Sequence, residues 1–253
     1  MLPAERRNHI LKMLNKNSKI EIEVVAVELN VSPMTIRRDL ALLEEQGLAY
    51  RTHGGAVLYN GLHREVPYKS KETTNIDEKE RIGREARKLI KEGYTLILDA
   101  GTTTLAIARA IKEVKNLTVI TNDLKIALEL NDDSDANVYC LGGLVQKGLG
   151  ITLGSEAQDF LSNIRVDICF LAAPAIDLDW GITNPSMEKA NLKKKMIKVA
   201  DQIILVTDHT KFYKKAFVHV ADLKDIDVLI TDSGVDSKTI EAIRSLGIDT
   251  RIV

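Results

Sequence analysis

The chain has 253 residues, 45% hydrophobic and 28% charged, and carries 35 Lys and Arg against 36 Asp and Glu, a net charge of -1. Such a composition builds one or two ordinary globular domains and no membrane span, since no uninterrupted apolar stretch approaches bilayer length; the opening M-L-P-A-E-R-R lacks the apolar core of a signal peptide, so a cytoplasmic protein is expected. The 2 cysteines, Cys140 in V-Y-C-L and Cys169 in I-C-F-L, lack metal-ligand spacing and are both expected in the core.

In chain order, Ile10, Met13 and Leu14 form the apolar stripe of a first helix, and Val24, Val25, Val27 and Leu29 mark a short second one ending near Asn30. A third helix starts at Ser32, whose hydroxyl can accept a hydrogen bond from an unpaired amide of the first turn, with Pro33 where a missing N–H costs nothing. At 3.6 residues per turn Ile36, Leu40 and Leu43 share one face, Met34, Arg38 and Ala41 lie near the opposite one, and Thr35 and Arg37 flank them. Paired arginines on a capped, apolar-striped helix suit a helix-turn-helix, whose second helix places its N-terminal residues against base edges in the major groove. Arg38 is the expected base reader; Arg37 and Thr35 face phosphates, and Ser32 and Met34 complete the first turn of the DNA-binding set.

Residues 48–58, L-A-Y-R-T-H-G-G-A-V-L, then read as two short strands around Gly54-Gly55, a hairpin whose glycines permit positive φ. Arg51, Thr52 and His53 sit on this wing, near the DNA backbone. Residues 1–58 hold 8 Lys or Arg against 7 Asp or Glu, so any field attracting DNA is local. This winged helix-turn-helix is followed by a polar connector containing Pro67, at 59–76, and by a larger domain at 77–253 that opens with a helix carrying Ile82, Ala86, Leu89 and Ile90.

From there apolar runs alternate with amphipathic helices: strands near 95–98, 117–121, 138–141, 168–172, 203–207 and 228–231, helices near 105–111, 124–130, 155–161, 192–200 and 239–246. The pattern is α/β with a mostly parallel sheet, which binds ligands beyond the carboxyl ends of its strands. Those ends carry Asp99 and Gly101-Thr102-Thr103-Thr104, then Asn122, Gly142-Gly143, Asp177, Asp208-His209-Thr210-Lys211 and Asp232. Glycine and threonines at a helix start offer amides, hydroxyls and a positive dipole end to a phosphate. Lys211 supplies countercharge or bonds a sugar oxygen, and Asp99, Asn122 and Asp177 fix sugar hydroxyls. His209 reads as a loop residue, and Lys193-Lys194-Lys195 as a solvated helix face. G-L-G-I-T-L-G lacks dinucleotide spacing and no triphosphate loop occurs, so neither cofactor nor metal is expected.

V-S-P-M-T-I-R-R-D-L, Leu42-Leu43-Glu44, Gly47-Leu48 and R-T-H-G-G-A resemble the amino-terminal domain of DeoR-family bacterial transcriptional regulators, and L-D-A-G-T-T-T, V-I-T-N, L-G-G, D-W-G-I-T, D-H-T-K-F and L-I-T-D resemble the family's sensor domain. The resemblance implies a repressor of carbohydrate genes that binds double-stranded operator DNA, modulated by a phosphorylated sugar, with a sensor fold similar to ribose-5-phosphate isomerase. A single winged helix reads little sequence, so a homo-oligomer assembled through the sensor domain is expected. Where many members carry G-A-S-G-I-D, this chain has Ala172-Ala173-Pro174-Ala175-Ile176-Asp177, which narrows backbone approach and removes an amide donor; D-S-S-K-F becomes D-H-T-K-F. An isomerase-like enzyme using Asp177, Asp179 or Asp208 as base is the alternative, but no recognisable acid accompanies such a base, and a non-enzymatic regulator is preferred. A DNA-binding protein with a degenerate effector pocket is a further alternative.

Overall fold

The computed structural model describes residues 2–17, 19–45, 48–58 and 68–253. These fall into two compact units, residues up to 58 with 68–71, and residues 72–253.

In the first unit, helices α1 (Pro3–Asn17), α2 (Ile22–Glu28) and α3 (Pro33–Glu45) pack with strands β1 (Lys19–Glu21), β2 (Ala49–Arg51) and β3 (Gly55–Leu58). The strands form an antiparallel sheet in the order β1-β3-β2, which makes the unit a winged helix. Its core gathers Ile10, Leu14, Val25, Ile36, Leu40 and Leu43, all at most 1% exposed; each such aliphatic side chain contributes roughly 1.5–3 kcal/mol by leaving water. In α2, however, the burial falls on Ile22, Val25 and Ala26, while Val24 and Val27 face outward at 57% and 83% exposure. The helix starts two residues earlier than its valine run, so its buried stripe is rotated. Neither Gly54 nor Gly55 has a positive φ. Gly55 is needed for close approach instead: a Cβ there would lie 2.0 Å from the carbonyl oxygen of Ile20 on β1, a strand the sequence pattern did not reveal.

The expected connector contains α4 (Tyr68–Glu72), and its residues 59–67, Pro67 among them, lie outside the described residues, as does Gly47. The second unit begins with α5 (Ile76–Arg87). There follow β4 (Thr95–Leu98), α6 (Thr102–Ala110), β5 (Thr118–Thr121), α7 (Leu124–Asp133), β6 (Asn137–Cys140), the hairpin β7 (Leu144–Gln146) and β8 (Ile151–Leu153), and α8 (Ser155–Ser162). Then come β9 (Val166–Ala172), β10 (Ala175–Asp177), β11 (Gly181–Asn184), α9 (Met187–Val199), β12 (Ala200–Val206), β13 (Val218–Ala221), β14 (Val228–Thr231), α10 (Ser237–Ser245) and β15 (Asp249–Ile252).

Seven of these strands make one sheet in the order β15-β14-β12-β9-β4-β5-β6, with every pairing parallel. Side chains alternate across it: Leu96, Leu98, Ile168 and Phe170 join Ile82, Ala86, Ile107 and Ile126 on one face, and Ile97, Cys169 and Leu171 join Ala157, Leu161, Met196 and Ile243 on the other. Both faces are covered by helices, which is why the strands read as continuous apolar runs. Chain order reverses between β4 and β9, so the crevice for a ligand opens there, beyond Leu98 and Ala172. A second, antiparallel sheet β10-β11-β13 caps the unit. Cys169 is buried as expected, but Cys140 is exposed, because β6 is the edge strand.

Candidate functional site

On α3 the Ser32 hydroxyl accepts from the Thr35 amide at 3.2 Å and lies 2.9 Å from the Thr35 hydroxyl, so the helix begins with the cap its sequence indicates. Asp39 is buried at 3% exposure and gripped by Arg6 at 2.5 Å and Arg7 at 3.6 Å, tying α1 to α3. Arg37 pairs with Glu23 of α2 at 3.6 Å. Arg38 is exposed and makes no ion pair or hydrogen bond among the described residues, and Met34 beside it is 55% exposed. On the wing Arg51, Thr52 and His53 are all exposed; the Arg51 amide donates to Glu44 at 3.0 Å. An unengaged guanidinium on the outward face of α3 is chemically able to form the two parallel contacts that select guanine.

In the larger unit the residues after β4 split by role. Asp99, 2% exposed, accepts from the Ala172 amide at 2.9 Å and forms a short ion pair with Lys193, whose ammonium also donates to the Ala172 carbonyl at 2.8 Å. The pair bridges β4, the β9 terminus and α9 beneath the crevice. Lys193 is therefore a buried strut rather than part of a solvated face, and Asp99 is committed to it instead of facing a sugar hydroxyl. Gly101 lies against Ala172, where a Cβ would sit 3.2 Å from the alanine methyl, and its amide donates to Asp123 at 3.2 Å. Thr104 spends its hydroxyl on the Gly101 carbonyl at 2.8 Å, and Thr103 is 8% exposed. No side chain caps α6, which leaves the amides of Thr102 and Thr103 at the positive end of the helix.

Asp123, fully buried at the start of α7, was not singled out by the sequence pattern; burial raises its carboxyl to about 6, against the pull of the Lys125, Ile126 and Gly101 amides. Asn122 next to it holds the Thr152 backbone through its own carbonyl, at 2.8 Å, and its side-chain amide, at 3.2 Å. Its Oδ1 is buried without a partner among the described residues. Gly142 meets open space; Gly143 has φ +120° and lies where a Cβ would be 2.3 Å from the Leu153 carbonyl oxygen, a packing requirement. Asp177 is not brought to this group: it ends β10, its Oδ1 accepts from the Asp179 and Trp180 amides at 3.0 Å each, and Lys215 approaches it at 3.4 Å.

Lys211 lies in a different constellation from the one its loop position suggests. Asp208, 1% exposed, accepts from the Thr210 amide at 3.0 Å and from Asn75 at 3.1 Å, and lies 3.6 Å from the Lys211 ammonium. Burial alone would raise its carboxyl, but Lys211, Thr210 and Lys79 together hold it below its ordinary value. Lys79 of α5, 7% exposed, is lowered to about 8 by burial, helped by Lys211 and opposed by Asp208. Lys214 is lowered by desolvation and then by Lys211. Three lysines thus share the field of one buried aspartate, and Glu78 and Glu72 also act on Lys79. Lys79 also lines a pocket of about 240 Å³ between α5 and α6 with Glu72, Glu80, Arg84, Thr102 and Arg109; Asp208, Lys211 and Lys214 are not part of its lining.

The DeoR-like helix-turn-helix domain matches residues 6–61 and the DeoR C terminal sensor domain matches residues 74–233. The chain is 36% identical over 248 residues to the HTH-type transcriptional regulator GlpR of Haloferax volcanii, covering 98% of this chain and 97% of the relative. It is 38% identical over 232 residues to the HTH-type transcriptional repressor GlcR of Bacillus subtilis, covering 92% and 89%. It is 33% identical over 233 residues to the glycerol-3-phosphate regulon repressor of Escherichia coli, covering 92% of each. Among solved structures the full-length sorbitol operon regulator SorC of Klebsiella pneumoniae aligns over 95% of this chain and 97% of that one at 11% identity and a TM-score of 0.44. Ribose 5-phosphate isomerase A of Methanocaldococcus jannaschii aligns over 56% of each at 18% identity and a TM-score of 0.41. Matched by both domain descriptions in order, and by relatives over nearly their whole length, this chain belongs to the DeoR family of helix-turn-helix transcriptional regulators.

Proposed function

We propose that the chain represses carbohydrate or polyol-phosphate genes by holding operator DNA through residues 1–58, and that a phosphorylated small molecule bound within 77–253 changes that hold. The lysine cluster carries the effector half of the proposal. Lys79, Lys211 and Lys214 gather around the buried carboxylate of Asp208, a group of ammonium donors chemically suited to a phosphate. Thr102, on the pocket that Lys79 lines, adds helix-start amides. The glycerol-3-phosphate regulon repressor, by its name, works in the same chemical territory.

DNA is held by α3, with Arg38 reading bases, Arg37 and Thr35 on phosphates, and Arg51, Thr52 and His53 on the backbone, and in this reading the protein acts in the cytoplasm. The protein acts as a homo-oligomer joined through the sensor unit, where Tyr139, Leu144 and Val145 on β6 and β7 are large apolar side chains half or more exposed. It is not an enzyme in this reading, because two of the carboxylates considered as bases are already engaged: Asp177 caps a turn and Asp208 serves the lysines.

The test is selection of bound sequences from a random duplex library, followed by release of the selected duplex with a panel of phosphorylated sugars and polyols. Sequence-selective binding that one of these compounds shifts supports the proposal. Selective binding indifferent to every phosphorylated compound would leave a degenerate pocket, and no selectivity would overturn the regulator reading.

A further inference from the structure

The His209 position, where this chain departs from D-S-S-K-F, is held by an arrangement that the phosphate cluster does not require. His209 opens the 3-10 turn His209–Lys211 after β12. Its backbone amide and its Nδ1 each meet one oxygen of Asp232 at 2.6 Å, and the Gly234 amide donates to the same carboxylate at 3.1 Å. Asp232 is 4% exposed at its side chain and the imidazole 37%. The ring lies so close over Gly234 that a Cβ there would be 2.5 Å from its Cγ, so the glycine makes the space the ring occupies.

A carboxylate only accepts, so Nδ1 is the donor to Asp232, and in the tautomer this selects Nε2 carries the lone pair. That nitrogen makes no hydrogen bond to any described residue. In a 3-10 turn residues two apart point in different directions, in keeping with their partners: His209 turns to Asp232 after β14, while Lys211 turns to Asp208. The imidazole and the Lys211 ammonium therefore leave the same turn toward different partners.

Resting on the assignment of the phosphate to the lysine cluster, we propose that His209 is a specificity-determining residue: Nε2 accepts a hydrogen bond from a hydroxyl of the effector's carbon chain, with Asp232 as the positioning residue that fixes the tautomer. A ligand with phosphate and hydroxyl correctly spaced engages both places, whereas bare phosphate engages only the lysines.

Titration calorimetry on the full chain tests this with inorganic phosphate, glycerol 3-phosphate, fructose 6-phosphate and glucose 6-phosphate as probes. Wild type is expected to bind at least one hydroxylated phosphate more tightly than inorganic phosphate. His209→Ser should cut that advantage about tenfold, the loss of one hydrogen bond, with inorganic phosphate affinity unchanged within twofold. His209→Gln, which keeps an acceptor at similar reach, should recover part of it. Three outcomes overturn the proposal: His209→Ser keeps the full advantage, it weakens inorganic phosphate equally, or none of the probes surpasses inorganic phosphate on wild type. The underlying assignment fails separately, if wild type and Lys211→Ala bind inorganic phosphate alike.

Discussion

Arg37 and Arg38 are neighbours with different electrostatic situations, and the difference decides what each can do for DNA. Arg37 shares its charge with Glu23, whereas Arg38 has no partner among the described residues and loses no internal contact on entering a groove. Arg38→Ala is expected to cost about 1–3 kcal/mol and to relax preference at one base position of the selected duplex, while Arg37→Ala weakens all duplexes uniformly and lowers the salt dependence. Fluorescence anisotropy on matched and single-mismatch duplexes at several salt concentrations separates the two; equal losses on both would remove Arg38 as base reader. Asp123 offers a second test at single-residue scale. Its carboxyl is raised from 3.8 to about 6 by burial, so the folded state binds the proton more tightly than the unfolded chain does. Stability from this group is present at low pH and falls as pH rises from about 4 through 6, a change of up to about 3 kcal/mol. Asp123→Asn keeps one acceptor, for either the Lys125 or the Gly101 amide but not both, and removes the titration. Its melting temperature relative to wild type should rise between pH 4 and 7, and a difference independent of pH would show that Asp123 is ordinary.

Between elements, the junction of β4, β9 and α9 rests on Asp99, Lys193 and Ala172. Removing one charge of a buried pair leaves the other stranded, so Lys193→Met is expected to destabilise the larger unit by about 3–5 kcal/mol in urea denaturation. Adding Asp99→Asn should return much of that loss; a double variant as unstable as the single one would assign the cost to packing. This pair also marks where sequence pattern stops. The strands of the parallel sheet through Val228–Thr231 are legible because burial on both faces makes them unbroken apolar runs. The three-residue strands β1, β7, β8 and β10 are too short for period two to show, and β11 is buried at all four positions, so it does not alternate. Lys193 reads as solvent-facing because its neighbours Lys194 and Lys195 blur the helical stripe, and only the fold brings Asp99, 94 residues away, beneath it. Lys79 is hidden for the same reason: Asp208 and the turn around Thr210 are local and legible, but the field of Lys79 on that carboxylate is not. By contrast the cap at Ser32, the apolar face of α3 and the helix start at Gly101 depend on residues within one turn of each other, and these are readable directly.

For the whole molecule, a regulator requires that effector and DNA affinities be linked, and linkage has a reciprocal form that separates it from coincident binding. If a phosphorylated ligand lowers DNA affinity by some factor, saturating DNA must lower affinity for that ligand by the same factor; factors of 5–150 correspond to about 1–3 kcal/mol of coupling. Lys79 gives this cycle a proton signature. Its ammonium is lowered to about 8 in the ligand-free protein, so near pH 8 it is partly neutral, and an arriving anion restores its charge. Ligand binding at pH 8 should therefore take up protons, read by calorimetry in buffers of different ionisation enthalpy, and affinity should fall as pH rises through 8. Lys79→Met should abolish the uptake. Releasing the ligand by adding the selected duplex should return the same number of protons, since the two equilibria close one thermodynamic cycle. Proton uptake without a matching release on DNA addition would place the anion at Lys79 but deny it any influence on DNA; coupling without uptake would move the effector away from the lysine cluster.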